Sequence, residues 1–263
     1  MTRSVYTSSV YATRDAATRH AAERILDTVF EHIPAETVLD VGCGTGTWLA
    51  VCREKGISDL LGLEGPWLPD DVVEVPAQHI RRTDLDKGLE IDSTFDLAIC
   101  LEVAEHLSPD RAESLVAELC AASPAVLFSA AIPGQGGLNH VNERWQSYWT
   151  SLFESHGYAV CDIVRPAIWH DSKINACYRQ NTFLFLSPNV QFPGDGFNRG
   201  VSPFPADVVH PVMFAMKHNQ RLAVRRNGRL FLQAIRATVE RRLRKKNRRQ
   251  TSPERALQAT LRR

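Results

Sequence analysis

The feature that most constrains this chain is an alternation of short apolar runs with amphipathic segments between residues 14 and 187. Apolar residues recur at helical spacing over 14–33, and apolar runs of strand length follow. Strands that are apolar throughout are buried on both faces, as in a parallel sheet covered by helices on each side. The sequence therefore predicts an α/β fold with a seven-stranded, mostly parallel sheet. The predicted strands lie at 37–42, 59–64, 77–82, 95–102, 124–133, 158–165 and 181–187, and the helices between them at 47–56, 108–122 (with Ser108 as N-cap) and 144–157.

A glycine-rich loop after the first predicted strand indicates where a ligand binds. The stretch VLDVGCGTGTW, residues 38–48, contains Gly42, Gly44 and Gly46 in a G-x-G-x-G pattern. This pattern differs from the dinucleotide fingerprint G-x-G-x-x-G and from the phosphate-loop signature. Asp40, two residues before the loop, would repel a pyrophosphate but attract an ammonium group. The first strand-to-helix turn of an open parallel sheet is also the usual floor of its ligand crevice.

The loop and three segments after it resemble class I S-adenosylmethionine (SAM)-dependent methyltransferases. VLDVGCGTG is similar to the first motif of that family, Glu64 stands at the end of the second strand, Asp84 follows the third, and FDLAICLEVAEHL resembles the fourth. The resemblance extends over residues 36–132, and its type is that of the Methyltransferase-23/11 group of small-molecule or glycan methyltransferases. It implies a Rossmann-like fold and SAM as the cofactor.

The resemblance also implies roles for individual residues. The glycines would admit the methionine and ribose portions of SAM, and Asp40 would reach its amino group. Glu64 would accept hydrogen bonds from the ribose, while Asp84 and the Leu85 backbone would pair with the adenine edge. Leu63, Leu85 and Leu101 are candidates to enclose the adenine ring. The predicted cofactor-binding residues are Asp40, Gly42, Gly44, Gly46, Glu64, Asp84, Leu85, Leu101 and Glu102.

A second loop supplies the candidate catalytic base. GQGGLNHVNERWQSYW, residues 134–149, follows the fifth strand and contains His140. A histidine titrates near neutral pH and can accept the proton of a hydroxyl acceptor. The alternative is a structural histidine that bonds to loop backbone. Glu105 and His106, in LEVAEHL after the fourth strand, complete the predicted catalytic set.

The same residues raise the question of a metal ion. Glu102, Glu105 and His106 are spaced i, i+3 and i+4, so on a helical turn they would share one face. With His140 they resemble the metal ligands of Hen1-type small-RNA 2′-O-methyltransferases, and E-x-x-E-H also resembles ubiquinone-pathway O-methyltransferases. The expectation is that no metal is needed, with Glu102, Glu105, His106 and His140 as the ligands if one is.

Three functions follow from these residues. The first is O-methylation of a sugar, glycan or other small-molecule hydroxyl, because the 134–149 segment resembles methyltransferases encoded among bacterial surface-polysaccharide and secondary-metabolite enzymes. The second is metal-dependent 2′-O-methylation of RNA. The third is a SAM-binding scaffold without turnover.

The charge divides the chain into two parts. Residues 217–263 contain 16 Lys and Arg against two Glu, a net charge of +14, while residues 1–216 contain 15 basic and 28 acidic residues, a net charge of −13. We predict a methyltransferase domain at 1–187, a Pro/Gly-rich linker at 188–216 and a basic helical tail at 217–263. The helix carries Leu232, Ile235, Val239 and Leu243 on one face.

Three partners suit such a tail: an anionic membrane surface, the acidic domain of a neighbouring copy, and nucleic acid. The acidity of residues 1–216 and the single aromatic residue of the tail, Phe231, argue against nucleic acid. The sequence does not determine the oligomeric state.

The cysteines and the hydropathy indicate the compartment. Six scattered cysteines without a C-x-x-C pair suit buried thiols in a reducing environment. No stretch approaches the roughly 18 apolar residues of a spanning helix, and the N-terminus lacks a signal-peptide core. We expect a cytoplasmic protein, peripheral to the inner face of the membrane if the tail binds there.

Overall fold

The computed structural model describes residues 15–190 and 206–220, together with positions 222, 224, 228, 229, 231 and 232. The described strands are β1 (Thr37–Val41), β2 (Asp59–Glu64), β3 (Ile80–Arg82), β4 (Leu97–Leu101), β5 (Ala125–Ser129), β6 (Ala159–Cys161) and β7 (Phe183–Leu186). The α-helices before residue 190 are α1 (Asp15–Phe30), α2 (Thr47–Glu54), α3 (Ala112–Ala122), α4 (Gln146–Ser155), α5 (Val164–Ile168) and α6 (Ala176–Asn181).

The seven strands form one sheet in the order β3-β2-β1-β4-β5-β7-β6, which confirms the predicted Rossmann-like α/β fold. Strands β1 to β5 pair in parallel, whereas β7 runs antiparallel to both β5 and β6. The chain builds β1, β2 and β3 outward in one direction and then returns to place β4 on the other side of β1. This reversal puts a ligand crevice at the carboxyl ends of β1 and β4.

Two hydrophobic layers cover the sheet, one on each face. Alternate residues of a strand point to opposite faces, so Leu97 and Ile99 of β4 belong to one layer while Ala98 and Cys100 belong to the other. Helices α1, α2 and α5 contribute to the first layer, and α3 and α4 contribute to the second. All six cysteines are free thiols.

Two local features differ from the sequence-based expectation. Helix α3 is preceded by a 3-10 turn at Pro109–Arg111, and the Ser108 side chain makes no capping hydrogen bond to that turn. The backbone N–H of Ser108 instead donates to Asp86 Oδ1 at 2.9 Å. In addition, the short helices α5 and α6 lie between β6 and β7, where the sequence predicted no helix.

The chain divides into two compact units, Met1–Met213 and Phe214–Arg263. Residues 206–210 of the predicted linker belong to the first unit and bond to its helices α4 and α6: Gln146 Nε2 donates to the Val208 carbonyl at 2.9 Å, and the His210 N–H donates to Gln180 Oε1 at 2.8 Å. Residues 211–220 are helical. Of the predicted apolar stripe of the tail, Leu232 is described and exposed; Ile235, Val239 and Leu243 lie outside the described residues. Among the described helices, none is long and apolar enough to cross a bilayer.

Candidate functional site

A cleft of about 170 Å³ opens at the carboxyl ends of β1 and β4. Gly42 and Gly44 of the glycine loop line it, and Gly42, Gly44 and Gly46 have φ angles of +74°, +54° and +83°. These left-handed conformations favour glycine. At Gly42 a side chain would also collide with Val103, so the loop can approach β4 closely only without a side chain there. The residues lining the cleft are Thr18, Asp40, Gly42, Cys43, Gly44, Thr45, Thr47, Trp48, Leu101, Glu102 and Tyr178.

Asp40 places a buried carboxyl group in the wall of this cleft. Its side chain is 2% exposed, and its Oδ2 atom accepts no hydrogen bond within the part of the chain that the structure describes. Burial, together with the nearby charge of Glu64, raises the pKa of Asp40 to about 8. A buried acceptor without a donor is costly, and a cationic ligand group would relieve that cost.

Glu64, at the end of β2, supports the glycine loop from beneath. Its two carboxylate oxygens accept hydrogen bonds from the Gly44 N–H and the Gly65 N–H, each at 2.8 Å. Burial raises the pKa of Glu64, and these backbone hydrogen bonds oppose that rise. A carboxylate oxygen has further acceptor capacity, so Glu64 retains room for ligand hydroxyls.

The structure does not bring every predicted cofactor residue into the cleft wall. Asp40, Gly42, Gly44, Leu101 and Glu102 line it, whereas Gly46, Glu64, Asp84 and Leu85 stand outside that lining. Asp84 is exposed and lies 3.5 Å from the Lys87 ammonium group, and Leu85 is a core residue that is 5% exposed, in the same hydrophobic layer as Leu63.

Glu102 adopts a conformation that the sequence pattern did not predict. Its φ angle is +55°, in the left-handed region that is uncommon for a side-chain-bearing residue. Its carboxylate accepts hydrogen bonds from Gln135 Nε2 at 2.7 Å and from Asn181 Nδ2 at 3.1 Å. Glu102 therefore does not share a helical face with Glu105 and His106, which occupy the separate 3-10 turn Ala104–His106.

Glu105, His106 and His140 come together beside the carboxyl ends of β4 and β5. One nitrogen or oxygen from each lies within 4.8 Å of the others, and the two imidazole rings meet edge to face at 4.8 Å. His140 Nε2 is 4.0 Å from Glu105 Oε1. The alternative metal set had four members, and the structure groups three of them, leaving out Glu102.

Backbone contacts fix the histidine loop onto the turn after β4. The N–H groups of Val141 and Asn142 donate to the Glu105 carbonyl at 2.8 and 3.1 Å. The Glu105 side chain is 1% exposed, and its pKa is raised well above the usual range by burial and by the charge of Glu102. His140 is thus held next to a buried acid by its own loop.

Glu143 orients the His140 ring, a role that no sequence pattern indicated. Its Oε1 is 2.9 Å from His140 Nδ1, and its two oxygens accept the N–H groups of Gly134 at 2.7 Å and Gly136 at 2.6 Å. Burial opposes ionisation of Glu143, but the hydrogen bonds from His140 and the two glycines outweigh it and lower its pKa. The imidazole is therefore held by an ionised carboxylate.

Gln135, Asn181 and Tyr178 are further site residues that sequence reasoning missed. Asn181 and Tyr178 belong to the unpredicted helix α6, and Asn181 reaches Glu102 across 79 positions of sequence. A contact between residues so far apart in the sequence leaves no local sequence pattern from which it could be predicted. Gln135 belongs to the 134–149 segment that was predicted to contain the catalytic base His140, and this was the signal in the sequence that could have identified it.

Comparison with known proteins places the chain among methyltransferases. A family model described as a methyltransferase domain matches residues 13–162, more than half of the chain. The ribosomal protein L11 methyltransferase of Thermotoga petrophila is 32% identical over 76 residues, which cover 26% of this chain and 28% of that protein. The ubiquinone biosynthesis O-methyltransferase of Hydrogenovibrio crunogenus is 27% identical over 136 residues, covering 47% of this chain and 50% of that protein. The matches thus span half or less of these curated relatives.

Among solved structures, DesVI supports the fold assignment. DesVI of Streptomyces venezuelae superimposes with a TM-score of 0.51 at 14% identity, covering 70% of this chain and 99% of that one. Magnesium protoporphyrin IX methyltransferase of Synechocystis, solved with bound SAM, gives a TM-score of 0.49 at 14% identity, covering 70% of this chain and 86% of that one.

Proposed function

Because this chain belongs to the methyltransferase family, we propose that it transfers the methyl group of SAM to a hydroxyl of a small acceptor, a sugar or glycan. The observation that carries the proposal is a juxtaposition at one edge of the sheet. A glycine-floored cleft with a buried, unsatisfied carboxyl lies at the ends of β1 and β4, and a histidine held by a carboxylate lies at the ends of β4 and β5.

The polar groups of the cleft suit SAM. Its ammonium group would supply the donor that Asp40 Oδ2 lacks, and the bare backbone of Gly42 and Gly44 would admit its methionine and ribose portions. Glu64 lies under the same loop with acceptor capacity left for the ribose hydroxyls. Leu101 and Tyr178 give the cleft apolar wall area.

The transfer itself is an in-line displacement at the methyl carbon. The acceptor oxygen uses a lone pair to form the new O–CH₃ bond, while the electron pair of the breaking C–S bond goes to sulfur and leaves S-adenosylhomocysteine. The hydroxyl proton passes to His140 Nε2, whose ring Glu143 holds through Nδ1. The enzyme contributes mainly alignment and this proton transfer.

The surroundings of the histidine loop favour a hydroxyl-rich acceptor. Glu102 lines the cleft, and the buried Gln135 and Asn181 donate to its carboxylate, which keeps further acceptor capacity for the hydroxyl of an alcohol. Trp145, which follows the loop, is 41% exposed, so its ring is available to an acceptor, whereas Trp149 is buried against Phe128. One curated relative is named as an O-methyltransferase.

RNA 2′-O-methylation is the second candidate, supported by the grouping of Glu105, His106 and His140. Glu102, the fourth member of the set that resembles Hen1-type enzymes, is bonded to Gln135 and Asn181 instead. The first candidate is therefore preferred.

For the basic tail we propose an anionic membrane surface as partner, which would bring the enzyme to a lipid-linked acceptor.

The test is transfer of labelled methyl from SAM into a fractionated extract of a source strain that lacks this gene. We expect label in carbohydrate or lipid-linked material with the wild-type chain, and a loss of roughly 100-fold or more with His140→Ala. His156→Ala, at an exposed position after α4, is the matched control and should transfer normally. Label in RNA would favour the second candidate, and label in protein would refute both.

A further inference from the structure

We propose that Glu105, His106 and His140 bind one divalent transition-metal ion. Two imidazoles and one carboxylate suit iron(II), zinc, cobalt and nickel, whereas magnesium and calcium prefer sites made of oxygen ligands. The inference concerns the histidine loop of the proposed function, but it assigns to that loop a ligand that methyl transfer does not require.

The spacing of the three side chains fits a single ion. Metal–ligand bonds of about 2.0–2.2 Å allow two ligands of one ion to lie up to roughly 4.4 Å apart. His140 Nε2 and Glu105 Oε1 are 4.0 Å apart, within that limit. The longest separation in the group is 4.8 Å, so a side-chain movement of a few tenths of an ångström closes the site.

The Glu143–His140 contact has the form that metal-bound histidines show. A ligating imidazole usually donates its second N–H to a carboxylate, which fixes the ring and its tautomer. Here Nδ1 of His140 is bonded to Glu143 Oε1 at 2.9 Å, and Nε2 is the nitrogen on the side of Glu105. The N–H groups of Gly134 and Gly136 hold Glu143 in turn. These contacts leave Nε2 as the nitrogen of His140 that can bind an ion.

Glu105 provides an independent indication. Its side chain is 1% exposed, and its Oε2 atom accepts no hydrogen bond from any residue that the structure describes. Burying a carboxylate is costly unless a cation or donors compensate, and metal coordination is one such compensation. The His140 imidazole that approaches Glu105 is at 4.0 Å, too far for a hydrogen bond.

Three protein ligands leave open coordination positions. Glu102 would have been a fourth ligand, but its carboxylate accepts hydrogen bonds from Gln135 and Asn181. In the metal-bound chain His140 Nε2 is a ligand and is no longer the proton acceptor that it is in the metal-free chain. An acceptor hydroxyl bound at an open position of the ion would become more acidic and would release its proton to solvent water. This last step, unlike metal binding itself, rests on the proposed function.

The test is a titration of the tag-free, full-length chain with Co²⁺, followed by visible absorption, with Zn²⁺ added afterwards to displace it. We expect one Co²⁺ per chain, and a loss of affinity of about 100-fold in each of Glu105→Gln, His106→Ala and His140→Ala. Glu143→Gln should weaken binding by roughly 10- to 100-fold, because it removes the group that orients His140. His156→Ala should bind as the wild type does.

Several outcomes would overturn the inference: no saturable binding, binding that all three ligand variants retain, or a loss in Glu102→Gln as large as in the ligand variants. Thermal unfolding by circular dichroism checks that each variant is folded, and Glu105→Gln preserves the shape of the buried side chain. Metal binding is measured without SAM or acceptor. Its absence alongside intact methyl transfer would contradict this inference alone, and the reverse result would contradict the proposed function alone.

Discussion

At the scale of single residues, the site depends on carboxyl groups held away from water. Asp40 is buried in the cleft with one oxygen unsatisfied by the described residues, and Glu105 is buried beside two histidines. Each buried carboxyl group lowers the stability of the ligand-free chain, because its burial is not fully compensated by hydrogen bonds. Perturbed acids that face a cleft are typical of functional sites, where a ligand completes their contacts.

Asp40→Asn should weaken SAM binding by about 10- to 100-fold, because it removes a charge-assisted hydrogen bond to the ammonium group of the cofactor. Isothermal titration with SAM measures the change. Asp110→Asn, at an exposed position before α3, is the control and should bind SAM normally. Equal affinities of wild type and Asp40→Asn would show that the amino group of SAM binds elsewhere.

Asp40 should also make the stability of the ligand-free chain depend on pH. Its pKa is raised from 3.8 to about 8, so between those values the folded chain binds a proton that the unfolded chain releases. The free energy of unfolding should therefore fall as the pH rises toward 8, by up to about 1.4 kcal/mol per pH unit relative to Asp40→Asn. Urea denaturation of both chains from pH 5 to pH 9 measures this difference, and parallel curves would contradict it.

The residue scale also shows what a sequence pattern can and cannot predict. The resemblance to Hen1-type enzymes grouped Glu105, His106 and His140, and the structure brings these three side chains together. The direction of Glu102 was not predictable, since its left-handed backbone and its partners Gln135 and Asn181 depend on packing between distant parts of the chain.

At the scale of elements, strong hydrophobic patterns predicted the strands of the sheet. The short helices α5 and α6 have no such pattern and were not predicted. The bounds of β2 are those predicted, because DLLGLE is a compact apolar run beside turn residues. Helices α5 and α6 have five and six residues, too short to show a helical period in the sequence. Their positions are set by tertiary contacts: Arg165 Nη1 of α5 donates to the Ala206 carbonyl at 3.1 Å, and Asn181 Nδ2 of α6 donates to Glu102 Oε1 at 3.1 Å.

Substitution of Gly62 by alanine tests the packing of β2 against α2. A methyl group there would lie 2.7 Å from Cys43 Sγ, 2.8 Å from Leu49 Cδ1 and 2.9 Å from Ile80 Cδ1. Gly62→Ala should therefore lower the free energy of unfolding by about 1–3 kcal/mol. Gly228→Ala is the control, because that helical glycine has open space around it, and alanine should leave stability unchanged or raise it. Chemical denaturation that finds Gly62→Ala neutral would contradict this packing.

At the scale of the whole molecule, the chain consists of two compact units with opposite charge. The boundary at Met213 and Phe214 lies near the predicted start of the tail at residue 217, and described tail residues such as Val224 and Phe231 are exposed. Near an anionic membrane surface, each Lys or Arg contributes roughly 1 kcal/mol of attraction. Sixteen such residues beyond position 216 would suffice to hold the enzyme there.

The full chain should therefore bind vesicles that contain phosphatidylglycerol but not vesicles of phosphatidylcholine alone, and added salt should release it. A chain ending at Met213 should remain in solution with both, while still binding SAM, because the cleft residues lie in the first unit. Co-sedimentation measures both chains. Equal binding of the two chains, or preference of the full chain for RNA over vesicles, would refute the membrane role.

In the proposed function the methyl group is attached to an oxygen atom, and NMR can identify the methylated atom. SAM carrying a carbon-13 methyl group is incubated with the enzyme and the gene-deficient extract, and the labelled product is analysed by proton–carbon NMR. We expect an O-methyl signal in carbohydrate or lipid-linked material that is lost with His140→Ala and retained with His156→Ala. An N-methyl or S-methyl signal, or an O-methyl signal that His140→Ala leaves unchanged, would contradict it.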